Sequence, residues 1–305
     1  MVDKAEIYSA NAAKTELAEL FGLSARSIHL VKTSSLCELG WQETSYPVSL
    51  ALSDGILHLP IAEDGSLQTS ELNGHSALPV SAININAADT MTGVRLRPHE
   101  IADLISLLPD LPVAICVTAI ARIGPFPQEF AKLANMLILA GSGFGLAEDS
   151  LVLSSADPPK HKDISISAEL VETLRARAAE RENVQELKET RDRFENSMVE
   201  KIPRSEILFA NADRLPHISC ISFEGINGEL LTAELAKAGI LARTPAACSP
   251  VGRNGAGFLE AANIPYARVR GSASFTFTGN IADHTAKLAT ELPEIVRRLR
   301  LLSGS

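Results

Sequence analysis

The sequence has 305 residues, of which 46% are hydrophobic and 21% charged, so it can bury a large core like an ordinary globular protein. Its net charge of -9 argues against nucleic acid as a partner, because phosphate binding requires basic surfaces. No apolar run is long enough to span a membrane, and the first residues lack the apolar core of a secretion signal. We therefore expect no membrane association and a cytoplasmic protein.

The cysteines and histidines form no recognisable metal or disulfide pattern. The four cysteines are widely separated, and the seven histidines do not stand at the spacing of metal ligands. We therefore expect neither a disulfide framework nor a metal site. The cysteines are Cys37, Cys116, Cys220 and Cys248.

The first half of the chain alternates between short apolar strands and helical patterns. This alternation predicts an α/β fold with a largely parallel sheet flanked by helices, in which ligands bind at the carboxyl ends of the strands. The predicted helices are Asn11–Gly22, Pro98–Leu108 and Phe126–Leu133. The predicted strands are Ile28–Thr33, Val48–Leu52, Ile56–Leu59, Leu78–Asn84, Val113–Thr118, Met136–Leu139 and Leu151–Ser154.

The second half predicts a smaller α+β domain. A charge-rich segment, Ala168–Pro203, has helical spacing and forms one long helix or two. It is followed by predicted elements in the order strand, helix, strand and closing helix. These are Ile218–Phe223, Gly228–Lys237, Gly239–Ala242 and Ala282–Leu302. We expect a large domain over residues 1–178 and a small domain over residues 179–305.

One stretch of the small domain combines a thiol with two arginines. Cys248 lies in a loop of small residues, and a short helix is predicted over Phe258–Asn263. The alternating run Ala267–Phe277 predicts a strand that carries Arg268 and Arg270. The pattern is compatible with a nucleophilic cysteine on a loop, close to arginines that bind a substrate carboxylate. It is also compatible with a cysteine that only packs against its neighbours and two arginines that are exposed to solvent.

Several motifs of the chain resemble those of cysteine desulfurases, in the class V aminotransferase family and the type I fold of pyridoxal phosphate (PLP) enzymes. The run RLPHISCISFEGI, which begins at Arg214, follows that family's small-domain motif nearly in step. Three further segments of the small domain match the family, namely Thr244–Cys248, Val269–Ser272 and Arg298–Ser303. Weaker matches upstream, at Leu17–Ile28, Thr33–Glu38 and Gly55–Leu72, extend the resemblance over nearly the whole chain.

The resemblance implies a homodimer with a PLP-type fold and assigns three site residues. Cys248 stands at the position of the sulfur-accepting nucleophile, and Arg270 at the position that binds the substrate carboxylate. Asn86 stands near the position of an active-site asparagine, with shifted spacing. Cys248 as a relic of an ordinary loop, and Arg270 as half of a structural ion pair, remain open alternatives.

The residues that would hold the cofactor depart from the family pattern. Gly143 stands where the Schiff-base lysine belongs, and Ser142 where its histidine neighbour belongs. Thr118 replaces the aspartate that would pair with the pyridine nitrogen, and Ala121 replaces a glutamine. The phosphate-binding run around Ser35 is also altered. We therefore expect no cofactor in a catalytically degenerate protein.

Three hypotheses follow from these residues. The first is a desulfurase-like pseudoenzyme that acts in sulfur transfer or iron–sulfur cluster assembly, by binding or by persulfide relay through Cys248. The second is an active, divergent PLP-dependent desulfurase or aminotransferase, which uses Lys162 or binds PLP noncovalently. The third is a dimerisation scaffold for a true desulfurase, so that a desulfurase or an iron–sulfur assembly protein is the expected partner.

Overall fold

A computed structural model describes residues 28–32, 45–70, 72, 79–121, 123, 127–140, 149–154, 184–245, 256–277 and 281–303. Of residues 28–32, 149–154 and 281–284 it describes only the backbone. The strands are β1 (Ile28–Lys32), β2 (Val48–Leu52), β3 (Ile56–Leu59), β4 (Val80–Asn86), β5 (Val113–Cys116), β6 (Met136–Ala140), β7 (Asp149–Ser154), β8 (Ser205–Ile207), β9 (Ile218–Phe223) and β10 (Ser272–Thr276). The helices are α1 (Pro98–Leu107), α2 (Thr118–Ala121), α3 (Gln128–Ala131), α4 (Val184–Lys201), α5 (Gly228–Lys237), α6 (Gly257–Ala261), α7 (Tyr266–Arg270) and α8 (Ile281–Ser303).

The larger sheet has the strand order β1-β7-β6-β5-β4-β2-β3. Strands β4, β5 and β6 pair in parallel at its centre, while β2 and β7 run the opposite way. Strands β1 and β3 run with the central three, because each is antiparallel to a reversed neighbour. The expected α/β fold with a largely parallel sheet is therefore confirmed.

The central strands of this sheet are buried because they are nearly continuous apolar runs. Ile83, Ile115 and Leu137, one on each of β4, β5 and β6, all belong to one core cluster. Helix α1 covers the sheet with Ile101 and Leu104, which lie one turn apart on its buried face. This core keeps the carboxyl ends of the three parallel strands together at one edge.

The smaller sheet has the strand order β10-β9-β8, and helices α4, α5 and α8 supply its apolar cover. Phe194 of α4 makes edge-to-face contacts with Phe275 and Phe277, at ring-centre distances of 5.4 and 5.2 Å. Such pairs add specificity to the burial of apolar area. The predicted α+β arrangement of this part is present, and the division at residue 178 remains a prediction.

Three sequence predictions for individual elements were wrong. Arg268 and Arg270 lie on the short helix α7, because the chain turns after Pro265 and again at Gly271. A Cβ atom at Gly271 would lie 2.5 Å from the carbonyl oxygen of Phe223, so only glycine fits that turn. The predicted strand Gly239–Ala242 is absent, and only a bridge between Arg243 and Ser274 forms beside it. Strand β4 ends at Asn86, two residues beyond the predicted end.

The loop after β4 attaches the larger sheet to the smaller one. Val94 forms a bridge with Arg214, and the amide of Leu215 donates to the carbonyl oxygen of Gly93 at 2.7 Å. The Arg214 guanidinium makes two hydrogen bonds, of 2.6 and 2.9 Å, to the carboxylate of Glu195 on α4. Only 5% and 4% of these two side chains is exposed. The ion pair thus fixes the segment around Arg214, which contacts both sheets.

Removing the carboxylate of this pair should destabilise the fold strongly. We expect Glu195→Ala to lower the free energy of unfolding by about 3–5 kcal/mol, because it leaves the buried Arg214 charge unpaired. Glu294→Ala, which breaks the exposed pair with Arg297, is the control and should cost far less. Urea unfolding of both variants measures the difference, and equal losses would contradict the role given to Arg214.

Candidate functional site

The carboxyl ends of β4, β5 and β6 form one edge of the larger sheet. In the strand register Asn86 lies opposite Cys116, and Cys116 lies opposite Ile138. Thr118 and Ala121 follow directly on helix α2, where β5 ends. The fold therefore brings Asn86, Thr118 and Ala121 to the edge where ligands bind in sheets of this kind.

Asn86 is fixed to the segment before β2. Its side-chain amide donates to the carbonyl oxygen of Tyr46 at 2.9 Å, and its backbone amide donates to that of Pro47 at 2.9 Å. The Tyr46 ring stacks on His58 with a centre distance of 3.6 Å. These contacts hold Asn86 and Tyr46 as one rigid unit at the end of β4.

Thr118 connects two strands through its hydroxyl group. The Thr118 oxygen accepts a hydrogen bond from the backbone amide of Ala140 at 2.8 Å and lies 3.3 Å from the Cys116 sulfur. Its side chain is buried. Thr118 and Ala121 thus give this edge no carboxylate or carboxamide, so it lacks the acidic partner that the resemblance expects for a PLP nitrogen.

Asp89 is a half-buried acid of this region that the sequence reasoning did not single out. Its carboxylate accepts hydrogen bonds from the amide and the hydroxyl of Thr92, at 2.7 and 2.6 Å. Burial raises the pKa of Asp89, although these hydrogen bonds and the charge of Arg243 pull it down. An acid five residues after the predicted end of a strand was the signal available in the sequence.

Arg243 links the smaller sheet to the loop after β4. Its backbone exchanges hydrogen bonds with Ser274, at 3.0 and 2.7 Å. Its guanidinium donates to the carbonyl oxygen of Thr90. Arg243 is therefore the described arginine that lies beside the β4 end and directly precedes the segment that carries Cys248.

The segment that carries Cys248, residues 246–255, lies outside the described residues, but both of its flanks are described. On one side, Thr244 donates its hydroxyl hydrogen to the carbonyl oxygen of Ser272 at 2.8 Å. On the other side, Gly257 packs so tightly on Ser45 that a Cβ atom there would overlap the Ser45 backbone. The Tyr46 hydroxyl donates to Glu260 of α6. The first flank is thus attached to β10, and the second to Tyr46, the hydrogen-bond partner of Asn86.

Burial and the Glu260 carboxylate also keep the Tyr46 phenol protonated. Loss of solvent, followed by the hydrogen bond to Glu260, raises the pKa of Tyr46 to about 12. The phenol therefore remains a hydrogen-bond donor across the physiological range.

Of the two cysteines in the described part of the chain, one is a poor nucleophile and the other is only partly exposed. Burial, followed by the charge of Asp89, raises the pKa of Cys220 to about 12. Cys116 is half-buried beside Thr118. Since the thiolate is the reactive form, Cys220 is inert at neutral pH.

The structure separates Arg270 from Asn86, Thr118 and Ala121. Arg270 is exposed at the end of α7 and lines a groove beside α5 and α8, which contains none of Asn86, Thr118 and Ala121. Its neighbour Arg268 makes ion pairs with Glu63 and Glu206, at 2.8 and 2.6 Å, and so connects the two sheets. The predicted positions Ser35, Ser142, Gly143, Lys162 and Cys248 lie outside the described residues.

Two classes of feature are missing from the described part of the chain. No group of three or more histidine, cysteine, aspartate or glutamate side chains there could hold a metal ion. None of the described helices has both the length and the apolar character that crossing a membrane requires.

Part of the chain is similar in sequence to known proteins. It is 35% identical over 118 residues to a cysteine desulfurase of Enterobacter agglomerans, which covers 38% of this chain and 29% of that protein. A cysteine desulfurase of Nostoc sp. is 36% identical over 119 residues, covering 38% of this chain and 30% of its own. The chain is related to the cysteine desulfurases. The alignments span less than a third of the relatives' length, and no protein-family model matches the chain.

The fold of the desulfurase-like chain extends further than the sequence similarity. A NifS-like protein superposes with a TM-score of 0.75 at 15% identity, over 95% of this chain and 88% of that chain. A NifS-like protein from Rickettsia africae gives 0.72 at 14% identity, over 94% and 88%. The expected type I fold of PLP-dependent transferases is therefore confirmed.

The expectation that the desulfurase-like chain has no cofactor is wrong on this comparison. Its relatives are named cysteine desulfurases, and enzymes of that family depend on PLP. The similarity therefore favours PLP over an empty site. At the described edge, Thr118 stands where the resemblance expects an aspartate, and its hydroxyl oxygen accepts the hydrogen bond of the Ala140 amide.

The raised pKa of Asp89 predicts a specific dependence of stability on pH. The native state binds this proton more tightly than the unfolded chain, so the contribution of Asp89 to stability is complete at low pH and is lost as the pH rises through the native pKa. We expect Asp89→Asn to gain stability relative to the wild type as the pH rises above about 4, the usual pKa of an aspartate in an unfolded chain. Asparagine can still accept the hydrogen bonds of Thr92.

Urea unfolding of both proteins across this pH range measures the effect. Asp54→Asn, in an exposed turn, is the matched control. A stability difference between D89N and the wild type that stays constant, or falls as the pH rises, would contradict the burial of a carboxyl group at Asp89.

Proposed function

We propose that this desulfurase-like protein acts in sulfur transfer, with Cys248 as the residue that receives persulfide sulfur. The Cys248 thiolate attacks the outer sulfur of a donor persulfide, the sulfur–sulfur bond of the donor breaks, and the donor leaves as a thiolate. Cys248 then carries the persulfide. No net oxidant is needed, because one sulfur–sulfur bond replaces another.

The attachment of the segment that carries Cys248 is the observation that supports this proposal. Arg243 contacts Thr90 on one flank, and Glu260 contacts Tyr46 on the other, so both ends are held near the carboxyl end of β4. The ten residues from 246 to 255 lie between these flanks. A chain of that length spans at most about 33–36 Å, which is enough to reach either the edge of the sheet or a partner at the surface.

We further propose that the chain does not tether PLP through the usual lysine position. Gly143 has no amine, so it cannot form an imine with the cofactor. PLP would then be held by noncovalent contacts alone, and cysteine desulfuration would take place on a partner. Suitable partners are a cysteine desulfurase or an iron–sulfur assembly protein. A homodimer and a cytoplasmic location complete this proposal.

An active desulfurase is the second candidate, and the names of the curated relatives favour it. In that case Lys162 would supply the amine that Gly143 lacks. Both candidates assign the same role to Cys248, namely acceptance of a sulfur atom. They differ in whether the sulfur comes from free cysteine or from a partner's persulfide.

A transfer assay tests the role of Cys248. We expect wild-type protein to acquire radioactive sulfur from a purified cysteine desulfurase that has been loaded with labelled cysteine, and to release it with a thiol reductant. Cys248→Ser should abolish the label, whereas the matched control Cys116→Ser should retain it. Labelling of C248S at the wild-type level would refute the relay.

Absorbance spectra of the protein with added PLP separate the two candidates. We expect bound PLP to be removed by dialysis even after borohydride treatment, because no imine is present to be reduced. An imine band that borohydride converts to a permanent adduct, and that Lys162→Ala abolishes, would establish the active enzyme instead. Lys160→Ala is the control for a general effect of losing a lysine in that stretch.

A further inference from the structure

A groove on the smaller sheet's side of the molecule has no part in the site described above. It has a volume of about 540 Å³ and lies between the start of α5, helix α7 and the end of α8. We call it the α5–α8 groove. Its walls include Ile226, Leu230, Tyr266, Arg270, Leu299 and Leu302.

The walls of the α5–α8 groove expose large apolar side chains to solvent. Leu230 is 58% exposed, Tyr266 72% and Leu302 80%, and Leu301 beside the groove is also exposed. Single exposed apolar residues are ordinary, but several around one concave surface mark a place where another molecule binds. The groove is therefore a candidate interaction surface.

Arg270 gives this surface an uncompensated positive charge. Within the described part of the chain, it makes no ion pair and no side-chain hydrogen bond, whereas Arg268 and Arg298 are paired with glutamates. Arg300, at the same end of α8, directs its guanidinium to the carbonyl oxygens of Pro203, Arg204 and Glu224. Two cations thus lie at this end of a chain whose net charge is -9.

We propose that the α5–α8 groove binds a segment of a partner protein in which leucine-like side chains flank a carboxylate. The apolar walls would cover the leucines, and Arg270 would pair with the carboxylate. A second copy of this chain is disfavoured, because a two-fold axis through the groove would bring the Arg270 charges of both copies together. A small ligand is disfavoured because walls this exposed would leave much of it uncovered.

The groove lies close to one flank of the segment that carries Cys248. Gly228, the first residue of α5, packs so tightly on Thr244 that a Cβ atom there would overlap the Thr244 hydroxyl oxygen. The same Cβ atom would lie 3.1 Å from the carbonyl oxygen of Arg270. A partner held in the groove would therefore lie beside the flank of the segment that carries Cys248.

Fluorescence anisotropy with two designed peptides tests this proposal on the full chain. One labelled peptide carries leucines and glutamates at helical spacing, and the other carries lysines in place of the glutamates. We expect the acidic peptide to bind the wild type and to lose about tenfold or more in affinity with Arg270→Glu. The lysine peptide should bind R270E better than it binds the wild type.

Arg297→Glu is the matched control. It makes the same change in net charge, but Arg297 lies on α8 and does not line the groove. It should leave the affinity for the acidic peptide within about twofold. The proposal is overturned if neither peptide binds, if both bind the wild type equally, or if R270E and R297E behave alike. It is also overturned if sedimentation shows that R270E dissociates a wild-type dimer, since the groove would then join two copies.

Discussion

The buried ion pair between Arg214 and Glu195 is the contact on which the arrangement of the two sheets depends. Arg214 lies just before β9 and bridges to Val94, which belongs to the loop after β4. Glu195 belongs to α4, whose other face contributes Phe194 to the core of the smaller sheet. One guanidinium therefore positions a helix, a strand and a loop of the other sheet. A buried pair of this kind is costly to disrupt, because either partner alone is a desolvated charge.

The site follows from this arrangement. Once the smaller sheet is held against the end of β4, Arg243 reaches Thr90, and α6 reaches Tyr46 through Glu260. The contact of Arg243 would not form if the sheets were displaced, because Arg243 pairs with β10 and Thr90 belongs to the loop after β4. The structure thus holds both flanks of the segment that carries Cys248, whereas the residue that follows β5 on α2 is a threonine whose side chain binds a backbone amide. The attachment of both flanks of this segment is the observation on which the sulfur-relay proposal rests.

The sequence predicted those elements whose pattern is local. Strands β2, β3 and β9 and helix α5 were predicted with their observed bounds, because their apolar periodicity and flanking turn residues agree. The α7 region was wrongly predicted as a strand because Arg268 and Arg270 alternate with apolar residues. The same alternation is compatible with a short helix. Packing of Gly271 against Phe223, some fifty residues away in the chain, decided the outcome. The role of Arg270 as a carboxylate clamp remains a prediction, and the structure places Arg270 on α7 rather than on the predicted strand.

The contacts of Asp89 and Arg243 could not be predicted, because they depend on tertiary proximity. Thr90 and Arg243 are 153 positions apart in the chain. The raised pKa of Asp89 likewise arises from burial against the smaller sheet. The roles of Ser35, Ser142, Gly143 and Cys248 rest on the family resemblance alone.

Mass spectrometry of the peptide that contains Cys248 tests the central claim most directly. After reaction with a persulfide-loaded cysteine desulfurase and alkylation, the account predicts that this peptide gains the mass of one sulfur atom, while the peptides of Cys116 and Cys220 do not. A sulfur atom found only on Cys37 or Cys116, or on no cysteine at all, would contradict it.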